Sequence, residues 1–325
     1  MKTPLLSICI ATYNRAEYIG ETLESIISQL TDEVEIVIVD GASTDNTEFV
    51  VKKYTEICKQ IKYILLPSKG GVDHDYCKTV EYARGKMCWL FPDDDLLRTN
   101  AIRAVLNELK HNYSLIIVNA KAMNNDFSRI IEDKKLKITK NEVYDKSKLE
   151  LLFCRVIPYI SFIGCVVINR DLWLHREKMS YFGTEFIHVG VIFQAPLPSP
   201  ALVIAEPYIK IRLGNAQWSS RAFEIWMYKW PSLLCSFSNI SKQVRQQYQP
   251  VYSWRRLKHI IIHRACKQYT IKEYQKWFAT ENSALLWKIT VLIIAIIPSN
   301  FFKFAIISYF RIFNREAVAT WKFVI

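Results

Sequence analysis

No CxxC pair, no HExxH and no clustered histidine–cysteine set occurs in the 325 residues, so a zinc centre has no ligands to build on. GxGxxG and GxxxxGK[ST] are missing as well, which argues against a dinucleotide-binding fold and a P-loop NTPase. There are no internal repeats and no low-complexity tracts. The longest unbroken apolar run near the C-terminus, ITVLIIAII, is nine residues, far short of the ~20 that span a bilayer as a helix. The eight cysteines make no even framework and most lie inside apolar runs. They are expected to be buried thiols of a reducing compartment. LLSICIA is short and runs straight into polar TYNR, so no cleavable signal is read there and a cytoplasmic protein is expected.

What is present is a foldable mixture. Half of the residues are apolar, 23% charged and 13% aromatic, which excludes a disordered chain, a disulfide-stapled miniprotein and a collagen-like repeat. The length suits one large domain with an appendage, or two modest domains. The net charge of +12 is unevenly placed. From Pro207 onward 18 Lys and Arg stand against four acids, while the preceding 206 residues hold 25 bases and 27 acids. A nearly neutral body with a basic tail points to an anionic partner for the tail, a phospholipid surface or a nucleic acid. No RNA-binding motif appears, and the tail's aromatics lie among aliphatic runs.

Along the first half, apolar runs alternate with helical spacing. Strands are predicted at 5–11, 35–40, 62–67, 87–91 and 115–120. Helices are predicted at 16–29, 46–58, 75–83 and 99–110. That order implies a mostly parallel α/β sheet with helices on both faces, whose ligands bind at the carboxyl ends of the strands. Asp40 and the triplet Asp93-Asp94-Asp95 stand at two such ends. Adjacent carboxylates repel one another, and a strand end is a costly place for them unless a hard divalent cation shares them with a ligand's phosphates. A solvated acidic turn that caps the next helix is the plainer alternative. Residues 121–160 match no clear pattern. A strand is predicted at 163–170, a loop opening a helix at 183–195, one or two strands at 201–213 and a polar loop at 214–221.

ICIATYNRAEYIGETLESI, EIVIVDGASTDNT and LPSKGGVDHDYCKTVEYARGKMCWLFPDDDLL, in that order over residues 5–110, resemble the family 2 glycosyltransferases. The resemblance implies a GT-A nucleotide-diphospho-sugar-binding domain over 1–220 and a divalent metal, Mn²⁺ or Mg²⁺. By position, Ala11, Thr12, Tyr13 and Arg15 fall on the loop that cradles the nucleotide, and Asp40 on the carboxylate that bonds the base. Asp73 matches a position lining the nucleotide-sugar pocket. Asp94 aligns with the final Asp of the DXD motif, with Asp95 supporting the metal and Asp93 facing ribose or sugar. Pro92 replaces the motif's first Asp, which leaves the division of labour among the three open. The Glu-Asp pair that supplies the general base in many relatives is absent. GTEFIH stands there instead, and His188 is the expected base with Glu185 as orienting partner or substitute, because imidazole titrates near neutrality. Arg212 and Arg221 bracket the polar loop as diphosphate contacts, and Trp218 could stack on a sugar.

GTEFIH, with IGCVVINR before it and IRLGNAQW after it, is most similar to O-antigen enzymes that transfer a 3,6-dideoxyhexose from a CDP-sugar. QxxRW, the signature of processive members, is absent: Gln217 and Arg221 are four apart and Ala222 follows. One sugar per event is therefore expected, on a polyprenyl-diphosphate-linked glycan in lipopolysaccharide or other surface-polysaccharide synthesis. A helical, basic 221–325 region, with 287–313 lying in the membrane interface, would hold the enzyme peripherally at the inner face of the cytoplasmic membrane. The alternatives are a UDP-, GDP- or dTDP-hexose donor, a nucleotidyltransferase, or a non-catalytic membrane protein that binds nucleotide sugars.

Overall fold

The computed structural model describes residues 3–217, 219–248 and 253–313. They fall into two units. The first comprises the chain to Arg212 together with Phe237–Ile240, and the second comprises Leu213–Ser236 and the chain from Ser241 onward.

The first unit opens with β1 (Leu6–Thr12), α1 (Ile19–Ile27), β2 (Val34–Asp40), α2 (Thr47–Ile57), β3 (Ile61–Leu65), α3 (Val72–Tyr82) and β4 (Met87–Phe91). β5 (Leu96–Leu97), α4 (Ala101–Glu108), β6 (Leu115–Met123), β7 (Ile130–Glu132), β8 (Glu142–Tyr144) and α5 (Leu149–Val156) follow. The unit closes with β9 (Val166–Asn169), α6 (Arg170–His175), α7 (Ile187–Phe193) and β10 (Ala201–Arg212). One sheet runs in the order β3-β2-β1-β4-β9-β6-β10-β5, with β7 on β6 and β8 on β10. Every residue of β2 and β4 is buried. Strands that read as continuous apolar runs need cover on both faces, which helices provide.

The sheet is more mixed than the alternation predicts. β3, β2, β1 and β4 are parallel and β6 pairs β10 in parallel, but β9 runs antiparallel between β4 and β6. Antiparallel strands need no helical crossover of fixed length, so nothing in the local pattern announces the reversal. Two devices fix β9 there: the Trp89 indole N–H donates to the Gly164 carbonyl at 2.8 Å, and Asn169 N–H to the Ser114 carbonyl at 3.0 Å. β10 is a single strand whose register against β6 shifts between Ile204 and Ile209. Pro207 lies in that gap and has no N–H for the ladder. The unreadable 121–160 stretch holds the short β7 and β8 and the helix α5. All eight cysteines are free thiols, and Cys9, Cys58, Cys77, Cys88 and Cys165 are buried.

The second unit is helical. α8 (Ala222–Glu224) passes through a π-helical turn at Ile225–Lys229 into α9 (Trp230–Ser236). Then come α10 (Lys242–Gln246), α11 (Ser253–Ala265), α12 (Ile271–Trp277), α13 (Leu285–Ile296) and α14 (Ser299–Phe313). Phe223, Ile260, Tyr269, Phe278, Val291 and Phe302 form its buried centre. The Tyr269 hydroxyl donates to the Val291 carbonyl, and Arg264 Nε to the Ile297 carbonyl at the end of α13. Thr270 and Glu273 make a capping box that starts α12. α13 is apolar apart from Lys288 and Thr290, and only one stripe of it is covered. Val291, Ile294 and Ala295 are buried, whereas Leu285, Leu286, Ile289, Ile293 and Ile296 are exposed. No single helix among the described residues is long and apolar enough to cross a membrane; α13 and Ser299–Tyr309 of α14 reach that length and apolarity only together, and they are bent by 93°.

Candidate functional site

β1 and β2 end side by side, Thr12 in register with Asp40, and the loops beyond them are laced together by side-chain–backbone bonds. Asn14 takes a left-handed backbone (φ 53°) so that its side-chain oxygen accepts from the Thr44 N–H at 2.7 Å. Its own N–H donates to the Ser43 hydroxyl, and Arg15 N–H donates to the Thr47 hydroxyl, both at 2.8 Å. Asn and Ser at such positions replace missing backbone partners. Asp40 is fully buried, its two oxygens accepting from Ser43 N–H at 2.7 Å and from the Tyr63 hydroxyl at 2.8 Å. Burial, and after it the Asp40 carboxylate, push the Tyr63 phenol far above its ordinary range. Tyr13 lies under the Lys69 ammonium, 3.6 Å from the ring centre, and Ala11 is the half-buried residue of β1.

The triplet follows β4 at once. Asp93 and Asp95 are buried and Asp94 is half-buried. Arg15 reaches the first two, with N–O distances of 3.4 Å to Asp93 and 3.1 Å to Asp94. Burial, then the neighbouring Asp94 charge, push Asp93 up to about 7 despite Arg15. The same two causes raise Asp95 well above the usual carboxylate range. Three crowded acids share Arg15 at Asp93 and Asp94 and the Arg212 charge at Asp95, and their oxygens are the donors a hard cation prefers. No three His, Cys, Asp or Glu side chains among the described residues converge on one point. One or two of these carboxylates, Asp94 first, would hold a divalent ion if it were bound.

Arg212 stands behind the triplet. Its N–H donates to Asp95 at 2.7 Å and its Nε to the Asp94 carbonyl at 2.9 Å. Its terminal nitrogens bond Glu21 and the Asn125 carbonyl, and its guanidinium lies over the Tyr18 and Phe127 rings. The expected diphosphate contact is thus a buried clasp on the carboxylate loop. Arg221 is exposed on the second unit, and Trp218 lies outside the described residues.

On α3, Asp73 points at the 183–187 turn. Its Oδ2 accepts from Glu185 N–H at 2.9 Å and its Oδ1 from Ile187 N–H at 3.1 Å. Burial raises Asp73 to about 6 against the pull of these bonds. The two residues expected to handle the proton are oppositely placed. Glu185 is half-buried and has a positive φ of 73°, uncommon for a residue with a side chain. His188 is 1% exposed, and burial pushes its ring down to about 4. Its Nε2 lies 2.7 Å from the Ile160 carbonyl, so that nitrogen carries the proton, while buried Nδ1 has no partner. The ring is enclosed by these contacts, and Glu185 is the more exposed of the two candidates.

Asp75 was missed in the sequence. It is buried and its carboxylate lies where a side chain on Gly41 would stand, 2.6 Å from the ideal Cβ, facing Asp40 and Lys69, whose charges both act on it. The available signal was VDHD, which puts two acids in one first turn directly after a Gly-Gly loop. Glu21 and Tyr63 left no such signal, since their roles exist only through Arg212 and Asp40.

The comparisons with known proteins agree with this arrangement. Residues 7–170 match the model of the family described as glycosyl transferase family 2. The chain is 28% identical over 206 residues to abequosyltransferase RfbV of Salmonella typhimurium, covering 59% of this chain and 62% of that one. It is 28% identical over 142 residues to the putative glycosyltransferase EpsH of Bacillus subtilis, covering 41% of each. It thus spans less than two thirds of the length of either relative. Among solved structures it resembles S. aureus TarS 1–349 in complex with UDP-GlcNAc (TM-score 0.59, 17% identity, 83% of this chain and 78% of that one). It also resembles the mannosyltransferase PcManGT of Pyrobaculum calidifontis in complex with GDP-Man and Mn²⁺ (TM-score 0.54, 15% identity, 91% and 86%). With about half of its residues matched to the family and this architecture around its strand ends, the chain belongs to glycosyl transferase family 2 and has the GT-A fold.

Proposed function

We propose that this chain is an inverting, metal-dependent glycosyltransferase. It moves one sugar from a nucleotide sugar to a lipid-linked oligosaccharide in surface-polysaccharide synthesis. The observation that carries the reading is the crowded carboxylate triplet Asp93–Asp95 at the end of β4, neighboured by Arg15, in a family 2 domain. Asp94, the half-buried member, is the metal ligand, with Asp95 in support. A bound divalent ion would offset the charge of the departing nucleoside diphosphate. Asp40, Asp75 and the Tyr13–Lys69 pair bound the nucleotide's end of the site. Glu185 takes the proton from the acceptor hydroxyl as that oxygen attacks the anomeric carbon, because it is the accessible one of the two candidates. His188 serves as a buried post that donates to the Ile160 carbonyl.

The 28% likeness to an abequosyltransferase supports a 3,6-dideoxyhexose donor carried on CDP. The second unit supports the lipid-linked acceptor. Leu285, Leu286, Ile289, Ile293 and Ile296 of α13, with Phe301 and Phe304 of α14, form an exposed apolar ridge accompanied by Lys288 and Lys303. Exposed apolar area with cations beside it suits the interface of an anionic bilayer, and the enzyme then lies peripherally on the cytoplasmic face. A thermal-shift panel of CDP, UDP, GDP and dTDP, each with and without Mn²⁺ or Mg²⁺, tests the donor site. A ligand that binds only the folded state raises the Tm, and the expected result is a metal-dependent rise, largest with CDP. No rise with any nucleotide would overturn the reading.

A further inference from the structure

The 183–187 turn is only partly held by its own sequence, through Thr184, whose hydroxyl accepts from Phe186 N–H at 3.1 Å and donates to the Tyr181 carbonyl at 2.7 Å. Glu185 holds a left-handed backbone although it is not glycine, and Gly183 nearby has φ 80°. Phe186, the residue before α7, offers no side-chain cap to the helix, and the Ile187 N–H at its start turns to an acceptor outside the turn. On the sides of Glu185 that face the core, Phe186 and Ile187 are buried at 5% and 1% exposure.

One side chain from elsewhere in the chain supplies that acceptor. Asp73, in the first turn of α3 and 112 residues away, accepts from Glu185 N–H with one carboxylate oxygen and from Ile187 N–H with the other. It caps α7 from outside and fixes the peptide on the N-terminal side of Glu185. Each oxygen is engaged by a backbone N–H, so this carboxylate grips the turn. Phe186 and Ile187 are buried beside this clasp, and Glu185 between Thr184 and Phe186 is half-buried.

We propose that Asp73 is a positioning residue that holds the Glu185 carboxylate in the geometry for proton transfer, in place of lining the donor pocket. The proposal rests on Glu185 being the base. The clasp is two-pronged by chemistry: an amide in place of the carboxylate keeps one acceptor and turns a donor against the other N–H. Asp73→Asn in the full chain preserves volume while opening one prong.

The test compares Asp73→Asn with Glu185→Gln, measuring kcat, donor KM, nucleotide affinity and amide hydrogen exchange over residues 183–193. In Asp73→Asn, kcat should fall about 100-fold, the scale of a small misplacement of a reacting group. Donor KM and nucleotide affinity should stay within about twofold, and exchange at Glu185 and Ile187 should accelerate. A fall in nucleotide affinity matching the fall in kcat would make Asp73 a donor contact and overturn the proposal. Wild-type turnover in Asp73→Asn with a dead Glu185→Gln would overturn it while leaving the base in place. Wild-type turnover in Glu185→Gln would instead sink the base assignment, and the positioning role with it. The wild type alone gives a check that needs no variant: if the Glu185 and Ile187 amides exchange as fast as those of exposed loops, the clasp does not exist in solution.

Discussion

The two units place their costly groups in opposite ways. In the first, large apolar side chains go inside, and the expensive feature is internal: three adjacent acids, two of them buried, at the end of β4. In the second, the interior is small, and the expensive feature is external. Leu286 is 80% exposed and Phe304 71%, on helices flanked by cations. Unpaired buried charge and uncovered apolar surface are both unfavourable in isolation. On the function proposed above, each would be relieved by a partner of a specific kind, a cation with its diphosphate in one unit and an anionic bilayer in the other. The lesson is that an unfavourable local arrangement, read with its sign, names the chemistry of what is missing.

The largest effects should come from breaking the first unit's arrangement. Asp94→Asn removes the most accessible carboxylate of the triplet, and turnover should drop about a thousandfold, as when a charge-stabilising group is removed. The Tm should hold within a few degrees, since relieving like-charge repulsion offsets the loss of the Arg15 pair. A variant with full activity would remove Asp94 from the metal site. Glu185→Gln comes next, with a loss of about a hundredfold or more in kcat and unchanged nucleotide binding. If His188→Gln suffers the larger loss in the same assay, the base is the imidazole after all.

How far the sequence reached differs between the units for physical reasons. β1 to β4 and the helices between them were legible because runs such as EIVIVD and MCWLF are buried on both faces and end in turn residues. The triplet and Asp40 were legible for the same reason, since a carboxylate ending an apolar run stands out. Pairings across the chain were not. Arg212 reads as a free cation in sequence, and only the fold brings Glu21, Asn125 and the Asp94 carbonyl around it. His188 reads as a titrating base because its spacing carries no sign of Ile160, whose carbonyl fixes its proton. β9 gave a clear strand signal and no hint of its direction. In 287–313 the apolar character was plain, but which face of α13 is covered depends on Ile260 and Tyr269 of the second unit's centre.

The second unit gives the next prediction in size. Leu286→Glu with Phe304→Glu puts two charges on the ridge without touching the buried stripe of α13. Each lost apolar contact with lipid removes on the order of 2 kcal/mol, so sedimentation with phosphatidylglycerol-containing vesicles should weaken by tenfold or more. Wild-type binding should also decline as salt is added, because the cations beside the ridge are screened. Nucleotide-induced thermal shifts should not change. Equal sedimentation of wild type and variant would show that the ridge does not meet lipid.

The smallest expected effect sharpens the contrast between the two candidate bases. His188 is held down to about 4 by burial against an ordinary 6.5. Above about pH 6.5 the ring is neutral folded or unfolded and contributes no pH dependence. Below that, the unfolded chain binds a proton that the folded ring refuses, so stability falls as pH falls toward 4. Asp93 and Asp73 act in the other direction. Held up at about 7 and about 6, they take protons in the folded protein before the unfolded chain does, and favour the fold as pH drops through the same window. The raised carboxylates outweigh the single imidazole in the wild-type profile, and the His188 share emerges only by difference. His188→Gln keeps a donor for the Ile160 carbonyl and does not titrate. Between about pH 7.5 and about pH 5, urea denaturation should show wild type losing roughly 2 kcal/mol relative to the variant. Parallel profiles would mean that the ring is open to solvent and free to take a proton, which would restore His188 to the chemistry.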